Sequence, residues 1–175
     1  MSGSATPNVP DAPRNVLQLK DADDLMGKYV QLADLTIDEF TPEAVEAIFG
    51  IKFGPRHDIG EGGFAAGFNQ PSPNQYPLIF FYSKRSLFGI VDINVRWPDY
   101  SPPLNVDFEK LKAELERHGW VIAGPSPNLH EVQYVSESFI RSDGNRNHHV
   151  FVKWVEGNCV VDFAVRHEFA VGEQK

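Results

Sequence analysis

The C-terminal third of the chain contains the pattern that most restricts its fold. Apolar and polar side chains alternate in residues 148–155 and 159–167, and a Gly-Asn pair at 157–158 separates the two runs. This pattern predicts an antiparallel β-hairpin. With Gly-Asn as the turn, Lys153 faces Asp162 on one side, and the other side carries three apolar pairs: Trp154 with Val161, Val152 with Phe163 and Val150 with Val165. The continuous apolar face of such a hairpin must be covered by other parts of the chain.

Helices are predicted upstream from their capping residues. Thr41 and Asp107 are N-cap candidates, and a glycine follows each apolar run, which predicts helices over 41–49 and 107–118. Earlier, the sequence suggests an extended piece at 16–19 and a helical turn within 24–32. Further strands are expected at 51–53, 77–83, 87–97, 120–123 and 130–140.

Two of these strands differ in how they expose their side chains. The strand at 77–83 is apolar on both faces, which is typical of a central strand covered on both sides or flanked by loops. The strand at 87–97 alternates, which predicts one buried face formed by Leu87, Gly89, Val91, Ile93, Val95 and Trp97.

The predicted elements repeat in order. Each capped helix is followed by strands, which predicts two tandem helix-then-strands units over 40–100 and 106–168, and VEAIFGIKFGP at 45–55 parallels LERHGWVIAGP at 115–125. An internal duplication and a chance match both account for this parallel. The expected fold is α+β, with an antiparallel sheet and helices packed on one face. A single domain is expected over 16–175, after a disordered tail at 1–15.

Composition and charge exclude several classes of protein. Hydrophobic residues make up 42% of the 175 residues, which is enough for a core, and no run of 18 apolar residues predicts a membrane-spanning helix. The formal charge is −8, and residues 1–46 hold nine acidic against three basic residues (9 − 3 = 6 of the excess). This acidity disfavours nucleic-acid binding and leaves a basic protein as a partner.

The start of the chain bears on the compartment. Residues 1–15 are rich in small residues and proline and contain no apolar segment of the kind found in secretory signals. A cytoplasmic protein is the direct interpretation. A periplasmic protein is the alternative, in which these residues would follow a removed signal or lipid anchor.

The candidate binding residues lie mainly in residues 55–76, the longest stretch without a regular pattern. It combines four glycines with aromatic side chains, a composition suited to a surface that adapts to a protein partner. A second candidate is the proline-rich segment that follows the strand at 87–97. The predicted partner contacts are Asp58, Glu61, Phe64, Phe68, Tyr76, Trp97 and Tyr100. The alternative is that Phe64, Phe68 and Trp97 belong to the core.

No motif predicts catalysis, a metal or a cofactor. The glycines at 60–67 lack the Lys-Ser/Thr of a phosphate loop, and the chain has no GxSxG, HExxH or CxxC motif. The protein is therefore predicted to be non-catalytic. If a catalytic or small-ligand site exists, His148, His167 and Asp162 are the candidates, since the two histidines face each other in the predicted hairpin. Cys159 has no disulfide partner and is expected to be a small buried residue.

The order of elements over 40–168 resembles the tandem α/β repeats of the β-lactamase-inhibitor-protein class. That resemblance implies a small bacterial inhibitor or immunity protein that neutralises a toxin or enzyme by direct binding. The same order also resembles small periplasmic envelope-assembly lipoproteins. An alternative is a structural or assembly subunit, such as an envelope subunit, whose apolar sheet face closes a homodimer. A third reading is an enzyme or small-ligand-binding protein that uses the face of the sheet.

Overall fold

A computed structural model of the chain describes residues 16–69, 78–100, 102–125, 135–144 and 146–169. It contains one eight-stranded antiparallel sheet and three helices, which confirms the predicted α+β fold. The helices are α1 (Ala22–Asp34), α2 (Pro42–Phe49) and α3 (Phe108–Arg117). The strands are β1 (His57–Gly60), β2 (Gly63–Asn69), β3 (Ile79–Arg85), β4 (Ile90–Arg96), β5 (Val121–Pro125), β6 (Val135–Asp143), β7 (Arg146–Val155) and β8 (Cys159–Glu168).

The sheet consists of two four-stranded meanders joined through their last strands. The strand order is β1-β2-β3-β4-β8-β7-β6-β5, so β4 and β8 are the central pair and β1 and β5 lie at the two edges. α2 precedes the first meander and α3 precedes the second, so the order of elements repeats as the sequence analysis expected.

The helices begin where their capping residues predict. The Thr41 hydroxyl accepts a hydrogen bond from the amide of Ala44 at 3.2 Å, and the Asp107 carboxylate accepts one from the amide of Lys110 at 3.0 Å. α1 is longer than the helical turn predicted within 24–32. It begins after Asp21, whose carboxylate accepts a hydrogen bond from the amide of Asp24.

One hydrophobic core joins all three helices to alternate residues of the strands. Tyr29 of α1 stacks on Phe163 of β8, with ring centroids 4.5 Å apart. Phe49 of α2 packs edge-on against Phe80 of β3 at 4.8 Å. The helices therefore cover one face of the sheet, hereafter the helix face, and the other is called the open face. Within the described residues, no helix is long and apolar enough to cross a membrane.

The β7–β8 register is confirmed as far as Lys153, which pairs with Asp162. Val150 faces Val165 and Val152 faces Phe163, as predicted. Beyond this point the register shifts: Trp154 faces Val160 rather than Val161, and the turn contains residues 156–158 rather than two residues. A bulge in β8 therefore accommodates the extra residue, Val161, which has no opposite residue on β7.

Several strand boundaries differ from the sequence analysis. Residues 51–53 do not form a strand. Residues 55–76 were predicted to be irregular, yet they contain the β1–β2 hairpin. β4 begins at Ile90 rather than 87, because residues 86–88 form a 3₁₀ turn. β3 is covered on one face only, since Phe81 is 49% exposed.

Candidate functional site

The open face of the sheet is not covered by any described element, and its centre is polar. The Ser83 hydroxyl donates to Asp92 Oδ1 at 2.7 Å, and Arg166 Nη2 lies 3.4 Å from the other carboxylate oxygen of Asp92. Beside them, Asn94 donates to the Asp162 carboxylate at 2.6 Å. Apart from Arg166 Nε, which is buried without a hydrogen-bond partner, these groups satisfy one another, which makes the centre of the face a poor anchor for a partner.

Exposed apolar side chains gather at one corner of this face. Ile59, Phe81, Leu87 and Phe88 are 46%, 49%, 55% and 61% exposed, and together they border a groove of about 330 Å³. We call these four residues the corner patch. Single exposed apolar residues are common on protein surfaces, whereas a group around a groove is typical of a binding surface.

Two local features of the backbone form the corner patch. The 3₁₀ turn Ser86–Phe88 ends at Gly89, whose φ of 62° is left-handed, and this turn projects Leu87 and Phe88 beyond the end of the sheet. The Ser86 hydroxyl donates to the carbonyl oxygen of Gly62 at 3.0 Å, which fixes the turn against the β1–β2 hairpin.

Gly63 allows Ile59 to join the patch. A Cβ atom at position 63 would lie 3.1 Å from Cγ1 of Ile59 and 2.6 Å from the carbonyl oxygen of Lys84. The absence of a side chain therefore lets Ile59 fold over β2 and lets β2 and β3 approach closely.

Charged residues lie beside the apolar ones. Glu61 and Arg85 line the groove, and both are exposed. Asp58 is also exposed, but it pairs with Phe64 and so projects towards the helix face, and its carboxylate accepts a hydrogen bond from the amide of Gly60 at 2.7 Å. The patch thus combines an apolar centre with a charged rim, which is the usual composition of a protein interface.

The structure separates the predicted contact residues into groups. Glu61 is exposed next to the corner patch, whereas Asp58 is exposed on the same face of the β1–β2 hairpin as Phe64. Phe64 is half-buried on the helix face and stacks on Tyr82 at 5.8 Å. Phe68 and Trp97 are buried in the core, as the alternative interpretation expected, and they present no surface to a partner. Tyr76 and the side chain of Tyr100 lie outside the described residues.

All four residues of the corner patch, Ile59, Phe81, Leu87 and Phe88, were missed as contact candidates. The sequence analysis placed Leu87 on the buried face of β4, because it continued the strand alternation back to residue 87. The signal for the actual structure was Gly89, since a glycine after Ser-Leu-Phe suits the left-handed end of a short turn.

The three alternative site residues are not brought together. His148 and His167 lie on the helix face and their Nδ1 atoms are 2.7 Å apart, whereas Asp162 lies on the open face with Lys153 and Asn94. Burial lowers the pKa of His167 to about 3 and also lowers the pKa of His148. Both histidines are therefore neutral at pH 7. Burial raises the pKa of Asp162, against the opposing effect of Lys153.

The remaining chemical groups of the described residues do not form a metal or nucleophile site. No group of three or more His, Cys, Asp or Glu side chains there is arranged to hold a metal ion. Cys159 is half-buried, and its burial raises the pKa of the thiol, so the reactive thiolate is disfavoured.

A charged cluster on the helix side connects the ends of two helices. Asp34 accepts hydrogen bonds from Arg141 at 3.1 Å and lies 2.5 Å from His118 Nδ1. Arg141 also donates to the carbonyl oxygens of Ala33 and His118 and covers the ring of Trp120 at 4.5 Å. These contacts join the C-terminal ends of α1 and α3 to β6, which is a structural role.

Comparison of the chain with protein-family models, with curated proteins and with solved structures finds no match.

Proposed function

We propose that the protein is a non-catalytic binding module that neutralises or regulates a basic target protein through the corner patch. The observation that carries this proposal is the grouping of Ile59, Phe81, Leu87 and Phe88 around one groove at the corner of the open face. Apolar and aromatic side chains with few torsions to fix supply much of the energy of protein interfaces.

The shape of the groove suits one inserted side chain. Its volume of about 330 Å³ is at the lower end of the range of small-molecule sites, and its apolar walls are open to solvent. An apolar side chain of a partner could bury itself between Phe81 and Phe88. The surrounding contacts would then exclude water from this anchor.

Charge favours a basic partner. The chain carries a net charge of −8, and Glu61 is exposed at the side of the patch formed by the β1–β2 hairpin. A negative surface accelerates encounter with a positively charged protein, and this acceleration is reduced by salt. An inhibitor or immunity protein that binds a basic toxin or enzyme has these properties.

Affinity capture with matched variants tests the proposal. The purified chain, the Leu87→Ser/Phe88→Ser double variant and Val121→Ser are each used as bait in extracts of the native source. Val121 is 62% exposed on the edge strand β5, so it controls for the loss of an exposed apolar side chain elsewhere. We expect one stoichiometric partner that the wild type and Val121→Ser retain and the double variant loses.

Two results would contradict the proposal. One is a partner that the double variant retains as well as the wild type does. The other is a wild-type chain without a partner that forms a dimer in analytical ultracentrifugation, which would favour the assembly-subunit alternative. Melting temperatures of the three proteins verify that they are equally folded.

A further inference from the structure

A second concave site lies on the helix face, on the opposite side of the sheet from the corner patch. It is a cleft of about 570 Å³ between the start of α2 and the strands β2, β3 and β4. Its apolar surface includes Phe40, Phe64, Tyr82, Val91 and Phe169. This volume is in the range of sites that hold small organic molecules.

Three cations and two carboxylates line the cleft, so cations are in excess by one: Arg56, Lys84 and Arg146 against Asp38 and Glu43. Arg56 covers the ring of Phe64 at 4.6 Å and is paired with Glu43 at 2.6 Å. Lys84 lies on β3, with its ammonium group 5.8 Å from the centre of the Phe169 ring. Aromatic rings hold Arg56 and Lys84 at the boundary between the apolar surface and solvent.

Lys84 and Arg56 line the same cleft but differ in their partners. Arg56 has a carboxylate within 4 Å, whereas Lys84 forms no ion pair with any residue of the described part of the chain. Its side chain is half-buried, and a half-buried ammonium group is stabilised by an anion. The start of α2 also lines the cleft, and its positive end is already compensated by Glu43 in the first turn of the helix.

From these contacts we infer that the cleft binds an amphiphilic carboxylate, with its anionic head on Lys84 and its apolar body along Phe64, Tyr82 and Val91. The aromatic floor has no affinity for a small inorganic anion, and the ammonium group has none for a neutral hydrocarbon. The ligand must therefore combine both chemistries in one molecule. This site is independent of the corner patch and of the partner proposed for it.

The experiment uses the full chain and the fluorescent aromatic sulfonate 8-anilinonaphthalene-1-sulfonate as the probe. We expect saturable binding at pH 7 and competition by decanoate. Decanol tests whether the anionic head is needed and inorganic phosphate tests whether the apolar body is needed, so neither should compete.

Variants locate the probe. Lys84→Met keeps the length of the side chain and removes its charge, and it should weaken binding about tenfold, as expected for loss of a charged hydrogen bond. Lys110→Met, at an exposed position of α3, should leave binding unchanged. Phe88→Ser should also leave it unchanged, because the corner patch lies on the other face.

The inference is overturned if the probe binds Lys84→Met and wild type equally, if Phe88→Ser abolishes binding, or if decanol competes as well as decanoate. Circular dichroism verifies that the variants are folded. If Lys84→Met fails to fold, Arg56→Gln at the exposed rim of the same cleft serves as the second variant. We expect Arg56→Gln to weaken binding of the probe several-fold. Unchanged binding by this variant would contradict the inference.

Discussion

The Nδ1 atoms of His148 and His167 lie 2.7 Å apart in the core, so one imidazole must donate a proton to the other. If both imidazoles were protonated, their two Nδ1–H groups would face each other, and neither could accept the hydrogen bond of the other. The Phe40 ring packs against His167 at 4.4 Å, and Arg141, Asp143, Arg146 and His149 are the charged or titratable groups that act on His148. This pair makes the stability of the fold depend on pH.

Acid should destabilise the protein through these histidines. The pKa of His167 is about 3 in the fold and near 6.5 in an unfolded chain, so between these values the unfolded state binds more protons. The free energy of unfolding therefore falls as pH decreases from about 7 towards 3. At pH 5 the loss from His167 amounts to about 2 kcal/mol.

Urea unfolding at pH 7 and pH 5 measures this effect. A His167→Phe variant keeps a ring at this position and should lose about 2 kcal/mol less than the wild type between the two pH values. His57→Gln, at an exposed position of β1, is the control and should behave as the wild type does. Equal losses in wild type and His167→Phe would show that His167 takes up a proton as readily in the folded state as in the unfolded chain, and so is not buried as described.

Two phenylalanines should respond differently to truncation. Phe68 is 5% exposed and packs edge-on against Phe80 at 5.6 Å, so Phe68→Ala should reduce the free energy of unfolding by about 3–5 kcal/mol. Phe88 is exposed, and Phe88→Ala should change the free energy of unfolding by less than about 0.5 kcal/mol. Chemical denaturation of both variants measures the difference, and a similar loss in both would place Phe88 in the core.

Alanine substitution of two glycines should have opposite effects. In Gly63→Ala the new Cβ would lie 2.6 Å from the Lys84 carbonyl oxygen, so β2 must move away from β3 and the variant should be destabilised by about 1–3 kcal/mol. Gly27 lies within α1 with no atom near the position of a Cβ, so Gly27→Ala should stabilise the protein by about 0.5–1 kcal/mol. Thermal denaturation shows whether each variant is more or less stable than the wild type. A Gly63→Ala variant as stable as the wild type would contradict the close approach of β2 and β3.

Substitutions of Arg141 and Asp34 should have coupled effects on the free energy of unfolding. Arg141→Ala removes the contacts to two helix ends and to Trp120, and we expect a loss of about 1–3 kcal/mol. Arg141→Lys keeps the charge but not the forked geometry, so it should recover only part of that loss. In a double-mutant cycle with Asp34→Asn, the combined loss should be smaller than the sum of the single losses. Strict additivity would show that the two side chains act separately.

The elements that the sequence predicted are those with local signals. The caps at Thr41 and Asp107 locate α2 and α3, and the alternation in 148–155 and 159–167 determines most of the β7–β8 register. The register is wrong only from Trp154, because a bulge is decided by the loop and by neighbouring strands rather than by alternation.

The missed elements depend on contacts that are distant in sequence. β2 contains Gly63, Ala65, Ala66 and Gly67, which have little intrinsic preference for a strand, and it is a strand because β3 pairs with it. Trp97 was predicted to be displayed, yet its amide donates to the carbonyl oxygen of Val161 and its ring is buried. The corner patch combines residues from three such segments, which is why it could not be predicted.

The central position of the β4–β8 pair has a consequence for synthesis of the protein. Asn94 and Asp162, which are hydrogen-bonded across this pair, are 68 residues apart in the chain. On the ribosome the first meander therefore emerges with β4 as an unpaired edge, and it stays so until β8 has been translated. Pairing across such a separation is slow compared with local contacts. The nascent chain thus has an interval in which a chaperone, or another nascent copy, can reach the edge of β4 before its own partner strand exists.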